Sequence, residues 1–237
     1  MNPRRVVSCT PAIVALMIAF GASPMRAQDS QGSYSHMAPL EQYLMDRNAE
    51  IALARSAAPE AVSRNAKVLV LGPHGFETAV EGTNGFVCMV GRAWDGPFDN
   101  PEFWNPRIRA AQCHNAVAAR TIVPIYLKRA EMATAGMSKE QMINAQKAAV
   151  AKNELPALEL GAMAYMMSKD TYLTDQGSHN LPHVMFYAPT TDGASWGADL
   201  PNSPVLLVPQ DTTVPVATFL VVVAKWSDGT PAIGKHN

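Results

Sequence analysis

KVLVLGPHGFETAVEGTNGFVCMV, residues 67–90, reads as three short strands separated by two turns. Residues 67–71 are an apolar run of strand length, closed by Gly72-Pro73-His74-Gly75. In the next segment Phe76, Thr78 and Val80 alternate with Glu77, Ala79 and Glu81, the pattern of a strand with one face toward solvent. Gly82-Thr83-Asn84-Gly85 follows, and Asn-Gly accepts the positive φ angles of a tight hairpin. Residues 86–90 are then expected to return as a third strand, completing a β-meander.

The flanks of this meander read as helix and loop. Upstream, Leu40, Tyr43, Leu44, Ile51 and Ala54 recur at helical spacing, which predicts an amphipathic helix over 39–57 with Pro39 in its first turn. Pro59 ends that helix or opens a second short one through Arg64. Downstream, WDGPFDNPEFWNP at 94–106 is a loop rich in aromatic residues and prolines. Thr121 is the expected N-cap of the next helix, where Pro124 is tolerated because first-turn amides lack intrahelical partners. Ile122, Ile125, Tyr126, Met132 and Ala133 line one face, and Gly136 stops the helix. Ser138 and Gln141 form a capping box that starts another helix, running to about Asn153, so the pair reads as an αα-hairpin.

Strands return after the hairpin. Candidates lie at 161–168, 183–188 and 205–208, and the almost wholly apolar run at 216–223 is expected to be a central strand buried on both sides. The order predicts an α+β domain, a mostly antiparallel sheet packed with an N-terminal helix and the central αα-hairpin.

The N-terminus has the zones of a secretory signal. Arg4 and Arg5 form a positive head, an apolar run is densest over 12–20, and Ser23-Pro24-Met25-Arg26-Ala27 supplies a cleavage region. The expected organisation is a signal peptide at 1–27, a flexible mature N-terminus at 28–38, and one domain at 39–237. Cleavage removes three arginines and no acid, taking the net charge from −1 to about −4. No basic stripe suits nucleic acid, so none is expected as a partner. No other segment has the length of a membrane span, so no membrane association is expected after cleavage. Localisation is expected to be periplasmic or secreted. Cys9 leaves with the signal, and Cys88 and Cys113 remain as an even pair suited to a disulfide in an oxidising compartment. The competing readings are two buried thiols, or a reactive Cys113 beside His114.

IALARSAAP at 51–59, GTNGFVCMV at 82–90, PEFWNP at 101–106, GAMAYMM at 161–167 and PHVMFYAP at 182–189 together resemble a group of exported bacterial proteins of uncharacterised activity. The resemblance spans most of the mature chain. It implies export and carries no catalytic residue, cofactor or fold with it.

Several side chains are candidates for chemistry. His179 and His183 have the i, i+4 spacing of metal ligands, although Pro182 argues against a helix there; His74, Glu77 or Asp175 would have to supply a third ligand. Strand alternation puts His183 and Tyr187 on one face, a catalytic pair if that face is open and core residues if the αα-hairpin covers it. Trp94, Phe98, Phe103 and Trp104 form a binding surface if exposed and a core plug if buried. Ser195 lies in Gly193-Ala194-Ser195-Trp196-Gly197, but the strand–turn–helix context of a hydrolase elbow is missing. Met163, Met166 and Met167 read as flexible core residues rather than soft-metal ligands.

These residues name no cofactor. The leading expectation is a non-enzymatic exported protein that binds a small molecule or a partner protein through its loops. The alternative is a metal-dependent or histidine-based hydrolase centred on His183.

Overall fold

The apolar run at 67–71 becomes β1 (Lys67–Gly72), the second strand from one edge of an eight-stranded sheet. The computed structural model describes residues 34–176, 180–208 and 211–232; the 1–27 signal segment lies outside them. The other strands are β2 (Gly75–Val80), β3 (Val87–Gly91), β4 (Ala110–His114), β5 (Met163–Met166), β6 (His183–Pro189), β7 (Val205–Leu207) and β8 (Val216–Val222). Their order across the sheet is β2-β1-β3-β4-β5-β6-β8-β7. Every neighbouring pair is antiparallel except β1 and β3. The class is α+β, as the order of elements predicts.

The single parallel pair corrects the meander. β1 and β2 form the expected hairpin, but Asn84-Gly85 does not fold β3 back along β2. Instead β3 crosses to the far side of β1, pairing Lys67 with Val87 and Val68 with Cys88. Local contacts redirect the turn. Asn84 Nδ2 donates to Val62 O, Asn84 Oδ1 accepts from Phe86 N, and Thr83 N donates to Asn65 O. Gly82 passes so close to β1 that a Cβ there would lie 2.1 Å from Lys67 N. Burial explains the choice. Most of β3 is buried, whereas β2 exposes Glu77 and Thr78 and suits an edge.

The helices settle other boundaries. The expected helix over 39–57 divides into a 3-10 turn at Leu40–Gln42 and α1 (Arg47–Arg55). Asp46 caps α1, accepting from Ala49 N at 2.9 Å, and Pro39 precedes the 3-10 turn instead of lying in the first turn of a long helix. Pro59 opens α2 (Glu60–Ser63). At the end of the expected flexible N-terminus, Tyr34, Met37 and Ala38 rest on the aromatic core, while Ser35 and His36 are exposed. An unforeseen α3 (Ala116–Thr121) is capped by Asn115, so Thr121 ends that helix instead of capping the next. Its hydroxyl donates back to Val117 O. Pro124 sits in the first turn of α4 (Val123–Thr134), and Ser138 and Gln141 cap α5 (Lys139–Ala151) reciprocally. No helix among the described residues is long and apolar enough to cross a membrane.

Strand β4 also went unforeseen. It lies between β3 and β5, with Cys88 level with Cys113, and the two cysteines form a buried disulfide. The alternative of a reactive Cys113 thiol is therefore excluded. α1 covers one side of these strands, where Ala54, Val68, Val90 and Ala111 pack around the disulfide. α4 covers the other, where Val123 meets Leu69 and Met89. β8 is not the doubly buried central strand expected of its sequence. It is next to the edge, with Ala217 and Phe219 buried and its other residues only half-buried.

Candidate functional site

Helix α4 leaves part of its side of the sheet uncovered. Over β4, β5, β6 and β8 there is a cavity of about 460 Å³, within the range of small-molecule sites. Its floor consists of Ala110 and Gln112 from β4, Met166 from β5, His183 and Met185 from β6, and Leu220 and Val222 from β8. The turn after β3 forms one wall, and Leu173, Asn180 and Leu181 form another. Leu206 and Val208 close the β7 side. The surface is mainly aliphatic and thioether, and no Phe, Tyr or Trp ring lines it among the described residues.

Among the described residues, six polar side chains interrupt this apolar surface: Arg92, Asp95, Asn100, Gln112, Asn180 and His183. Met166, His183 and Val222 lie on one rung across β5, β6 and β8. Continuing the Cys113–Tyr165 register by one residue brings Gln112 level with Met166. Strands are about 4.8 Å apart, so Gln112 and His183 stand roughly 10 Å from each other on the same floor. Asn180 enters from the loop before β6, and Asp95 from the turn after β3.

Gly91 brings Asp95 and Gln112 together. A Cβ at this position would lie 2.7 Å from both Asp95 Oδ2 and Gln112 Nε2. Only glycine leaves room for the two side chains to sit side by side here. Asp95 Oδ2 accepts from Arg92 N at 3.0 Å. Asp95 Oδ1, Gln112 Oε1 and Asn180 Nδ2 are shut off from solvent and have no hydrogen-bond partner in the protein. Buried polar atoms are normally satisfied, so three unpartnered ones around a single cavity are chemically informative. Burial pushes the Asp95 carboxyl up to about 7, against the opposing pull of the Arg92 amide and the charges of Arg129 and Arg92.

Two arginines hold the wall through contacts within the protein. Arg92 is buried against α1. Its Nη2 meets Glu50 Oε1 at 2.9 Å, its Nε donates to Tyr43 O at 2.8 Å, and its Nη1 donates to Val90 O. Arg129 donates to Trp94 O and Gly96 O, to Gln146 Oε1, and to Asp211 Oδ2. Its guanidinium also lies 4.4 Å from the centre of the Phe98 ring. The β3–β4 connection is thereby fixed to α1, α4 and α5.

His183 is 5% exposed and lines the cavity. Its Nδ1 lies 2.7 Å from Leu181 O, so the proton assigned to Nδ1 leaves Nε2 as an acceptor. Burial lowers the pKa of His183, and the Leu181 carbonyl opposes that shift less strongly. Tyr187 does not work beside it. The ring is buried four residues further along β6, and its hydroxyl points toward Met185 Sδ at 3.9 Å. Burial raises the Tyr187 phenol well above its ordinary range. Tyr187 belongs with Tyr126 and His114, whose ring centres lie 6.3 and 5.6 Å from one another's partner in the His114–Tyr187 and His114–Tyr126 pairs.

The remaining candidates disperse. His179 lies outside the described residues. His74 is in the exposed β1–β2 turn, Glu77 pairs with Arg47, and Asp175 is held by Tyr172 and Arg107. None of the three lines the cavity with His183. No three His, Cys, Asp or Glu side chains gather to hold a metal among the described residues. Trp94, Phe98, Phe103 and Trp104 are all buried, stacked around Tyr43 and the α4–α5 hairpin, and so form a core plug instead of an exposed binding surface. Ser195 is exposed in a 3-10 turn at Ala194–Trp196, with no strand leading directly into it. Met166 lies on the cavity floor, a role that neither core packing nor metal binding describes fully.

In the sequence Asp95 is only one residue of the aromatic loop at 94–106, and Gln112 carries no site signal of its own. Its one hint is a single amide in the run Ala110-Ala111-Gln112-Cys113, where every neighbour is small or apolar. Comparison with known protein families, with curated proteins and with solved structures finds no match for this chain.

Proposed function

We propose that this is an exported protein that binds one small, largely aliphatic molecule in the cavity over β4–β8. The observation that carries this reading is a preformed, largely apolar cavity of small-molecule size lined by a few polar side chains. Export is supported by the signal-like N-terminus and by the buried Cys88–Cys113 disulfide, which suits an oxidising compartment.

Catalytic use of the cavity would centre on His183 Nε2 as a base, with Asp95 in the same cavity. Against it, no serine, threonine, cysteine, tyrosine or lysine lines the cavity among the described residues. Hydrolysis through a hydroxyl, thiol or amine nucleophile therefore has no such group at this place, and binding is the better-supported reading.

Native mass spectrometry of the protein isolated from its own cells tests the proposal. The expected spectrum shows one small molecule bound per chain, released on unfolding. Met185→Trp should fill the floor and abolish that adduct while cooperative unfolding is retained. Retention of the same adduct by Met185→Trp would overturn the location. A wild-type protein that carries no adduct, and is not stabilised by any aliphatic probe, would overturn the function.

A further inference from the structure

Two thioethers and one imidazole are neighbours on the cavity floor. We propose that Met166 Sδ, His183 Nε2 and Met185 Sδ form a binding site for a soft monovalent cation, copper(I), on the β5–β6 part of that floor.

Strand register brings the three side chains together. Met166 is paired with His183 across β5 and β6. Side chains directly opposed in this way have Cβ atoms about 5 Å apart. Met185 follows His183 by two positions, about 7 Å along the same face of β6. Methionine and histidine side chains are long enough to close these gaps onto one ion. All three line the cavity and are buried apart from the small surface they show to it.

The imidazole presents a lone pair there. Nδ1 of His183 lies 2.7 Å from Leu181 O, and a carbonyl only accepts, so the proton is on Nδ1 and the lone pair on Nε2. A backbone carbonyl on the far nitrogen is the usual device that fixes a ligating histidine. Nε2 has no partner among the described residues. Both ring nitrogens of His114 are unpartnered and sealed from solvent, whereas Nε2 of His183 is not sealed and so keeps surface in the cavity it lines. Met185 Sδ has a weak contact with the Tyr187 hydroxyl at 3.9 Å, which an unbranched thioether gives up by rotation.

The ligand set selects the ion. Thioether sulfur is a soft donor suited to copper(I), and imidazole joins it readily. Three neutral ligands leave the charge of the ion uncompensated, so a monovalent ion is less costly to bury here than a divalent one. Asp95 lies beside Gln112 at the β3–β4 end of the floor, away from the two methionines and the histidine. Zinc and calcium would want such carboxylates in contact. An ion takes a small part of the cavity of about 460 Å³, so this site goes beyond the aliphatic ligand and does not depend on it.

The test is an anaerobic copper(I) titration of the full mature chain, with ascorbate as reductant, bicinchoninate as competitor and the Cys88–Cys113 disulfide verified intact by thiol titration. One copper(I) per chain is expected to be held against the chelator, with one nitrogen and two sulfur neighbours in X-ray absorption. Met166→Leu, Met185→Leu and His183→Leu should each weaken binding by about tenfold or more. Met167→Leu, outside the cavity lining, should leave it unchanged. The methionine-to-leucine changes conserve volume and keep the cavity apolar, so the fold and any aliphatic adduct should survive them. Loss of copper with the adduct retained separates the two kinds of binding. Failure to hold copper(I) against the chelator, equal binding by Met166→Leu and His183→Leu, nitrogen and oxygen neighbours alone, or zinc(II) held as tightly would each overturn the metal site and leave the aliphatic reading to its own test.

Discussion

His114 is a buried residue that pays no visible return in hydrogen bonds. It is fully buried at the end of β4, near Tyr126 and Tyr187, and neither ring nitrogen has a partner. Burial lowers its pKa from the ordinary 6.5 to about 3. Between these values the unfolded chain binds a proton that the folded protein refuses. The contribution to stability is therefore fully present above pH 6.5 and is lost as pH falls toward 3. His114→Leu should remove that dependence. At pH 7 it is expected to be more stable than wild type by about 1 kcal/mol, because two unpaired polar atoms leave the core. Below pH 6.5 its advantage should grow by up to about 1.4 kcal/mol per pH unit. Urea unfolding at pH 7, 5 and 4 checks this, and parallel pH profiles for the two proteins would refute it. Asp95 shows the opposite shift, from 3.8 to about 7, and comparing variant with wild type isolates the histidine from it.

Among the elements, β3 and β4 organise the cavity. Their antiparallel register sets Cys88 against Cys113 on the α1 side and places Gln112 on the other side, toward the cavity. The connection between them carries the aromatic plug and Asp95, and it is closed covalently by the disulfide across 25 positions. In the chain-entropy account, such a closure restricts the unfolded chain and contributes about 3 kcal/mol. Replacing both cysteines with alanine should lower unfolding stability by about that amount under oxidising conditions. A loss below about 1 kcal/mol would mean that strand pairing and the aromatic plug already hold the connection. The β1–β2 hairpin was legible in the sequence because its alternation and its turn agree. The position of β3 was not, because Asn84-Gly85 specifies a local backbone shape and the partner strand is chosen by burial. β4 was hidden because Ala110-Ala111-Gln112-Cys113-His114 has neither the alternation nor the branched residues that mark a strand.

At the scale of the whole molecule, one sheet serves two roles. β1 and β3 are covered by helices on both sides, while from β4 toward β8 the α4 side remains open as the cavity. If the chain is exported as proposed, material recovered outside the cytoplasm should begin just after Ala27 and contain no free thiol. N-terminal sequencing with thiol titration checks both points, and native protein beginning at Met1 with two reduced cysteines would refute export. The sequence by itself determined the α+β class, the β1–β2 hairpin and the capped α5 helix, and offered Cys88 and Cys113 as a candidate disulfide. These follow from periodicity, turn and capping chemistry and residue count, all of which act over short stretches of chain. Tertiary structure alone decided that the aromatic loop is core, that His183 and Tyr187 have separate surroundings, and that Asp95 meets Gln112 beside Gly91. Those outcomes depend on which strand lies beside which, and packing between distant segments sets that order.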